Sequence, residues 1–309
     1  MLFTLRMILK YSSRSCLFII FVATLPSVFA QLPTIVAKDA KLIKIADHFD
    51  FTEGPAVDSR GNVYFTDQPN DQILKWSVDG ELEIFLTPSG RSNGLYFDAE
   101  DNLYACADAL GQLWKIDADK NIEVLLKDFQ GKRLNGPNDL WIDAKGGIYF
   151  TDPFYQRPYW KHTAPYLSSN HVYYLSPTGV VSTVATGLEQ PNGIIGTPDG
   201  SLLYVADIDG QMTYSYQIEA DGNLSNKRPF VAMGSDGMTL DAQGNVYLTG
   251  DGVSIFDAKG KKIEQINIDE PWTANVTYGG PDRDILFITA SKAIYQLKME
   301  IKGASQSYK

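Results

Sequence analysis

The sequence predicts an all-β fold, six four-stranded blades arranged as a β-propeller around a central channel. Two observations carry the prediction. A hairpin-like segment recurs six times along the 309 residues, and the turns within and between its copies are rich in Gly and Asp while helical periodicity is weak throughout.

The repeat is clearest in residues 134–153, LNGPNDLWIDAKGGIYFTDP. Strand-forming residues run from Leu140 to Ile142, turn at Asp143-Ala144-Lys145-Gly146-Gly147, and return as Ile148-Tyr149-Phe150-Thr151 before Asp152. Two such runs joined by an Asp/Gly turn read as a β-hairpin. Asn138 and Asp152 then lie at the same end of it, because the second strand runs back to where the first began.

Aligned on that hairpin, the copies begin at Glu53, Asn93, Asn138, Asn192, Asp236 and Asn275, at intervals of 40, 45, 54, 44 and 39 residues. A further strand and turn follow each hairpin, as in QILKWSVDGELEIFL and VSIFDAKGKKIEQIN. Four strands per unit at this period is the signature of a propeller blade. The last copy is short, and residues 34–49, with the alternating stretch KLIKIADHF, supply the outer strand that would complete it. Pairing the two ends of the chain in one blade removes an open sheet edge.

Residues 1–30 read as a signal peptide. Arg6, Lys10 and Arg14 precede an apolar run from Cys16 to Leu25, and Val28-Phe29-Ala30 offers a cleavage site before Gln31. The run is short for a bilayer span. The expected mature chain, residues 31–309, is therefore one propeller domain, secreted or periplasmic, with no membrane association after cleavage. Losing those three basic residues moves the formal net charge from -10 to -13. Such a balance argues against nucleic acid as a partner and suits a cation site. Cys106 is then the one cysteine left, so no intrachain disulfide is expected, and its setting in LYACAD reads as core.

In a propeller the first strand of each blade lines the channel, so the six starting residues meet around one mouth. Every one of them is a carboxylate or an amide. Asp67, Asp108, Asp152, Asp207 and Asp251 end the second strands and return to that mouth, where most would cap loop backbone and hold the inner residues in place. Oxygen donors without thiolates or imidazoles select one hard divalent cation, Ca²⁺ first, with Mg²⁺, Mn²⁺ or Zn²⁺ as alternatives. His48, His162 and His171 fall outside the ring, which disfavours a Ser-His-Asp triad and a histidine-based zinc site. The expected class is thus an all-β, six-bladed β-propeller with a central metal-binding channel.

The motifs FTEGP, RSNGL, KRLNGPND, YFTDP, PNGI, SDGM and YGG, in this order over residues 51–290, resemble the gluconolactonase, regucalcin (senescence marker protein) and luciferin-regenerating enzyme family. The resemblance implies a propeller that binds one divalent cation in its channel and hydrolyses lactones, with a small molecule as substrate. It also implies that Glu53, Asn192 and Asp236 hold the metal. Asn138 falls where the family has an asparagine that completes the metal or substrate contacts, and so shares in catalysis. Arg133, just before that motif, and Asn93 on the ring are the candidate substrate-binding residues.

Asp236 is the expected general base, since a carboxylate beside the ion can take a proton from incoming water. Residues 153–171, aromatic-rich and the cause of the longest interval, are either a substrate wall or a packed cover on the propeller face. The expected function is a secreted, metal-dependent hydrolase of sugar-type (aldono) lactones. The alternatives are an organophosphate hydrolase of the same family and a non-catalytic calcium- or partner-binding propeller.

Overall fold

Six four-stranded antiparallel sheets make up the computed structural model, which describes residues 34–304. The signal peptide expected at residues 1–30 lies outside the described residues. In blades one to five the strands follow chain order outward from the channel. Their innermost strands are Thr52–Val57, Ser92–Phe97, Leu140–Ile142, Pro191–Gly196 and Met238–Leu240, and these pack on one another around the axis. Blade six runs Thr273–Gly279, Ile285–Ala290, Ala293–Lys298, and takes Ile43–Ala46 as its outer strand. Ile43 pairs with Gln296 and Lys44 with Tyr295, the closure expected of residues 34–49.

The hairpins turn on aspartate. Asp58 Oδ1 accepts the backbone N–H of Arg60 and Asn62, two and four residues on, and Asp98, Asp143 and Asp241 repeat the arrangement. A short carboxylate that satisfies the turn's own N–H groups fixes where the first strand must end. Leu140 pairs with Phe150 and Ile142 with Ile148, as the spacing in that hairpin predicts.

Each blade is covered on both faces, which is why its inner strands are apolar at successive positions rather than alternately. Ile148 and Phe150 of blade three pack with Cys106 and Leu113 of blade two, whereas Tyr149 between them packs with Ile194 and Val205 of blade four. Six such apolar clusters occur among the described residues, one at each junction between neighbouring blades. Emptying one, as in Phe150→Ala, removes a buried ring at a cost of about 3–5 kcal/mol. The blades are therefore rigid plates, and the ends of their inner strands are held in fixed positions around the channel.

Candidate functional site

The recurring F/L-T-D/G ending of the second strand explains how the ring residues are placed. Its threonine crosses to the next blade: Thr66 Oγ1 donates to the Asn93 carbonyl at 3.1 Å, and Thr151 Oγ1 to the Asn192 carbonyl at 2.8 Å. Its aspartate turns back to the loop entering its own blade. Asp67 accepts the N–H of Asp50 and Phe51, Asp152 those of Asn135 and Gly136, and Asp207 those of Glu189 and Gln190. These loops lead directly into Glu53, Asn138 and Asn192. Asp251 departs from the pattern, being exposed, and Asp108 departs in a different way described below.

Glycine after the ring residue then lets neighbours crowd together. A Cβ on Gly94 would sit 2.5 Å from Asp139 Oδ1, and one on Gly237 would sit 1.9 Å from Asn275 Cγ, so any larger residue would push the adjoining blade's polar side chain away.

Glu53, Asn93, Asn138, Asn192, Asp236 and Asn275 are all buried. Asn192 Nδ2 donates to Asp236 Oδ1 at 2.8 Å, and the Trp272 indole N–H donates to Asp236 Oδ2 at 2.6 Å. Asn275 Nδ2 donates to Glu53 Oε2 at 3.3 Å while its own oxygen is taken by the Val276 N–H. Burial, and next the Asp236 carboxylate, push the Glu53 carboxyl well above the usual carboxylate range. Burial pushes Asp236 up to about 6 against the lowering effect of its Trp272 and Asn192 donors. Burial likewise pushes Asp139, beside Asn138, up to about 7. The site thus gathers three buried carboxyls that hold their protons more tightly than exposed ones do.

That donor set fits a hard cation. Two buried amide oxygens, Asn93 Oδ1 and Asn192 Oδ1, have no hydrogen-bond partner. Asn192 is turned this way because its nitrogen is claimed by both Asp236 and the Tyr155 hydroxyl, the latter at 2.9 Å. An acceptor buried without a donor costs about 1–3 kcal/mol, and a divalent ion bound by oxygen would satisfy it. Among the described residues no three His, Cys, Asp or Glu side chains converge to hold an ion; the gathered donors are two carboxylates with neutral amides. Asn138 has its backbone tied to Thr151 and Gly94 and makes no side-chain hydrogen bond among the described residues.

Arg133 is not brought to the ring. Its Nη2 donates to the Ala109 carbonyl at 2.7 Å, and its guanidinium lies 5.4 Å from the Tyr166 ring and 6.0 Å from that of Trp160. Its hydrogen bonding is directed at backbone beneath residues 153–171. His162, stacked on Trp160, belongs to the same aromatic group. Trp272 and Tyr155 are the contacts that sequence reasoning did not single out. Trp272 stands three residues before Asn275, and Tyr155 three residues after Asp152, so both sit in loops that cross from one blade to another's ring residue.

A cavity of about 340 Å³ lies elsewhere along the channel. It is lined by later residues of the same strands, such as Val57, Phe97 and Leu240, and by Arg283 and Ala304, and it reaches inward as far as Asp139 and Asn275. It shares only this floor with the polar ring.

Residues 51–292 match the family described as SMP-30/Gluconolactonase/LRE-like region. The chain is 27% identical to a gluconolactonase of Zymomonas mobilis subsp. mobilis over 303 residues, covering 88% of this chain and 85% of that protein. The solved structure of a gluconolactonase from Xanthomonas campestris superposes with a TM-score of 0.80 at 29% identity, over 85% of this chain and 91% of that one. Diisopropyl-fluorophosphatase of Loligo vulgaris is 25% identical over 242 residues, 70% of this chain and 77% of that protein.

Proposed function

The chain belongs to the SMP-30/gluconolactonase/LRE-like family, and on that premise we propose that it is an exported, metal-dependent hydrolase of aldono-type lactones. One observation carries the proposal: two buried carboxylates, Glu53 and Asp236, stand at one channel mouth with Asn192, whose nitrogen donates to Asp236 and whose buried oxygen has no partner. Glu53, Asn192 and Asp236 would hold the metal ion, with Asn138 completing its contacts. Bound there, the ion supplies Lewis-acid polarisation of the lactone carbonyl and neutralises the oxygen charge that develops.

The protein's own groups do the rest. Trp272 and Asn192 fix the plane of the Asp236 carboxylate, yet each carboxylate oxygen keeps a second lone pair. One of these takes the proton of the attacking water as its oxygen bonds to the carbonyl carbon. The ring C–O bond then breaks, and the proton passes to the departing ring oxygen, giving the open hydroxy acid. Glu53 would be held ionised by the cation and balance its charge, and Asn275 holds it in position. The Asn93 oxygen, free and buried at the ring, accepts a hydrogen bond from a substrate hydroxyl.

The test is turnover of a panel of aldonolactones and organophosphates before and after chelation. Lactone hydrolysis that disappears on metal removal and returns with Ca²⁺ is expected. Hydrolysis indifferent to thorough chelation would overturn the metal dependence. Turnover of organophosphates in place of lactones would favour a second reading, which the similarity to diisopropyl-fluorophosphatase supports.

A further inference from the structure

Residues 153–171 form a strap tied down on blade two. Arg157 Nε donates to Asp108 Oδ2 at 3.1 Å, the Tyr159 hydroxyl donates to the same oxygen at 2.5 Å, and the Trp160 indole N–H donates to the Asp108 carbonyl at 3.3 Å. Asp67, Asp152 and Asp207 give their oxygens to backbone at the entrance of their own blades; Asp108, at the equivalent position, takes side chains from the strap and from Gln68. The Arg157 guanidinium lies 5.3 Å from the centre of the Tyr155 ring, within cation–π reach. The strap therefore holds Tyr155 from one side, and Asn192 holds it from the other.

Asn192 Nδ2 donates to the Tyr155 hydroxyl at 2.9 Å, while the Gln190 amide donates to the neighbouring Phe154 carbonyl. The oxygen thus accepts from Asn192, while its hydrogen has no acceptor among the described residues. A hydroxyl whose oxygen is engaged by the protein and whose hydrogen is not is placed to donate to something else.

Accepting the lactonase reading, we propose that Tyr155 is a substrate-contacting donor whose hydroxyl hydrogen-bonds the carbonyl oxygen of a polyhydroxy lactone as that oxygen becomes negative. The position suits this role, since Asn192 links Tyr155 directly to Asp236. The phenol keeps its proton and acts on the substrate only as a hydrogen-bond donor. Its contribution is a fixed dipole aimed where charge develops.

The test compares the full-length wild type with Tyr155→Phe, both loaded with Ca²⁺, by three measurements: Ca²⁺ affinity, affinity for gluconate as a ring-opened acid, and kcat with KM on the matching lactone. The expected result is Ca²⁺ affinity within about twofold, gluconate affinity reduced by about tenfold, and kcat reduced by about 100-fold at saturating Ca²⁺, the scale of losing one oxyanion donor. If Tyr155 only orients Asn192, Ca²⁺ affinity falls and excess Ca²⁺ restores turnover, and the proposal is overturned. Equal gluconate affinity and equal turnover in the two proteins overturn it as well. A wild type that binds gluconate but opens no lactone defeats the lactonase reading alone, and the ratio of gluconate affinities still decides the role of the hydroxyl.

Discussion

At one end of the channel the six inner strands begin on carboxylates and amides pressed against one another. A few residues further along, the same strands line a cavity of about 340 Å³ with Val57, Phe97 and Leu240 among its walls. The roomy end mixes apolar walls with Asp98, Asp101 and Arg283, and the crowded end has little space but two buried carboxylates with raised proton affinity. The difference teaches that volume does not mark the proposed site here. Buried carboxyls and unpartnered oxygens mark it, and glycines such as Gly94 and Gly237 make the crowding possible.

The contrast can be broken most severely at Asp236. Asp236→Asn still offers an oxygen to an ion but takes no proton from water, so kcat at saturating metal should fall by about 10²–10⁴. Near-normal turnover would leave Asp236 a ligand and move the proton to Asp139. Glu53→Gln should act on the ion instead. Calorimetry should show affinity for Ca²⁺ weakened by about tenfold or more, as expected when one of two carboxylates is neutralised, with activity partly restored by excess Ca²⁺.

Cutting the strap at its anchor is a milder change. Asp108→Asn removes the charge that Arg157 pairs with, and kcat should fall by about five- to tenfold through a loosened Tyr155, with Ca²⁺ affinity unaltered. A smaller effect concerns Asp152, behind the ring, whose carboxyl burial pushes up to about 7. The unfolded value is about 3.9, so the folded state holds this proton more tightly than the unfolded chain does. Its favourable contribution is complete below about pH 4 and is lost as pH rises through about 7. Thermal melts should therefore show the gap between wild type and Asp152→Asn shifting in the variant's favour from pH 4 to 7.5. Smallest of all should be Thr239→Val with Thr277→Val in the wide cavity, where kcat/KM is expected to stay within about twofold.

Much of this was legible in the sequence because propeller blades are local. A hairpin with its own Asp turn fixes its register without reference to distant residues, so aligning six copies was enough to bring Glu53, Asn192 and Asp236 to one mouth. The closing strand was legible for the same reason, since the sixth copy lacked one. What escaped depends on loops that leave their own blade. Trp272 reaches Asp236 from blade six, and Tyr155 reaches Asn192 from blade three. Arg133 looked available beside the Asn138 motif, but the Ala109 carbonyl on the neighbouring blade claims it. Asp251 shared the spacing of its siblings and yet is exposed. Period places strands; it says nothing of where an irregular segment crosses.

The outer strand of blade six has a temporal meaning as well. Ile43 and Gln296, which pair there, are 253 positions apart, whereas every other strand pairing within the blades joins near neighbours in sequence. Local hairpins can form without waiting, so five blades can condense while Ile43–Ala46, made first, remains without a partner until Ala293–Lys298 exists. Closure entropy grows only logarithmically with loop length, but non-local contacts slow folding. The seam should accordingly be the last part of the ring to form and the first to part, so that the lifetime of the whole circle is set at a clasp between residues 35–52 and residues 291–300.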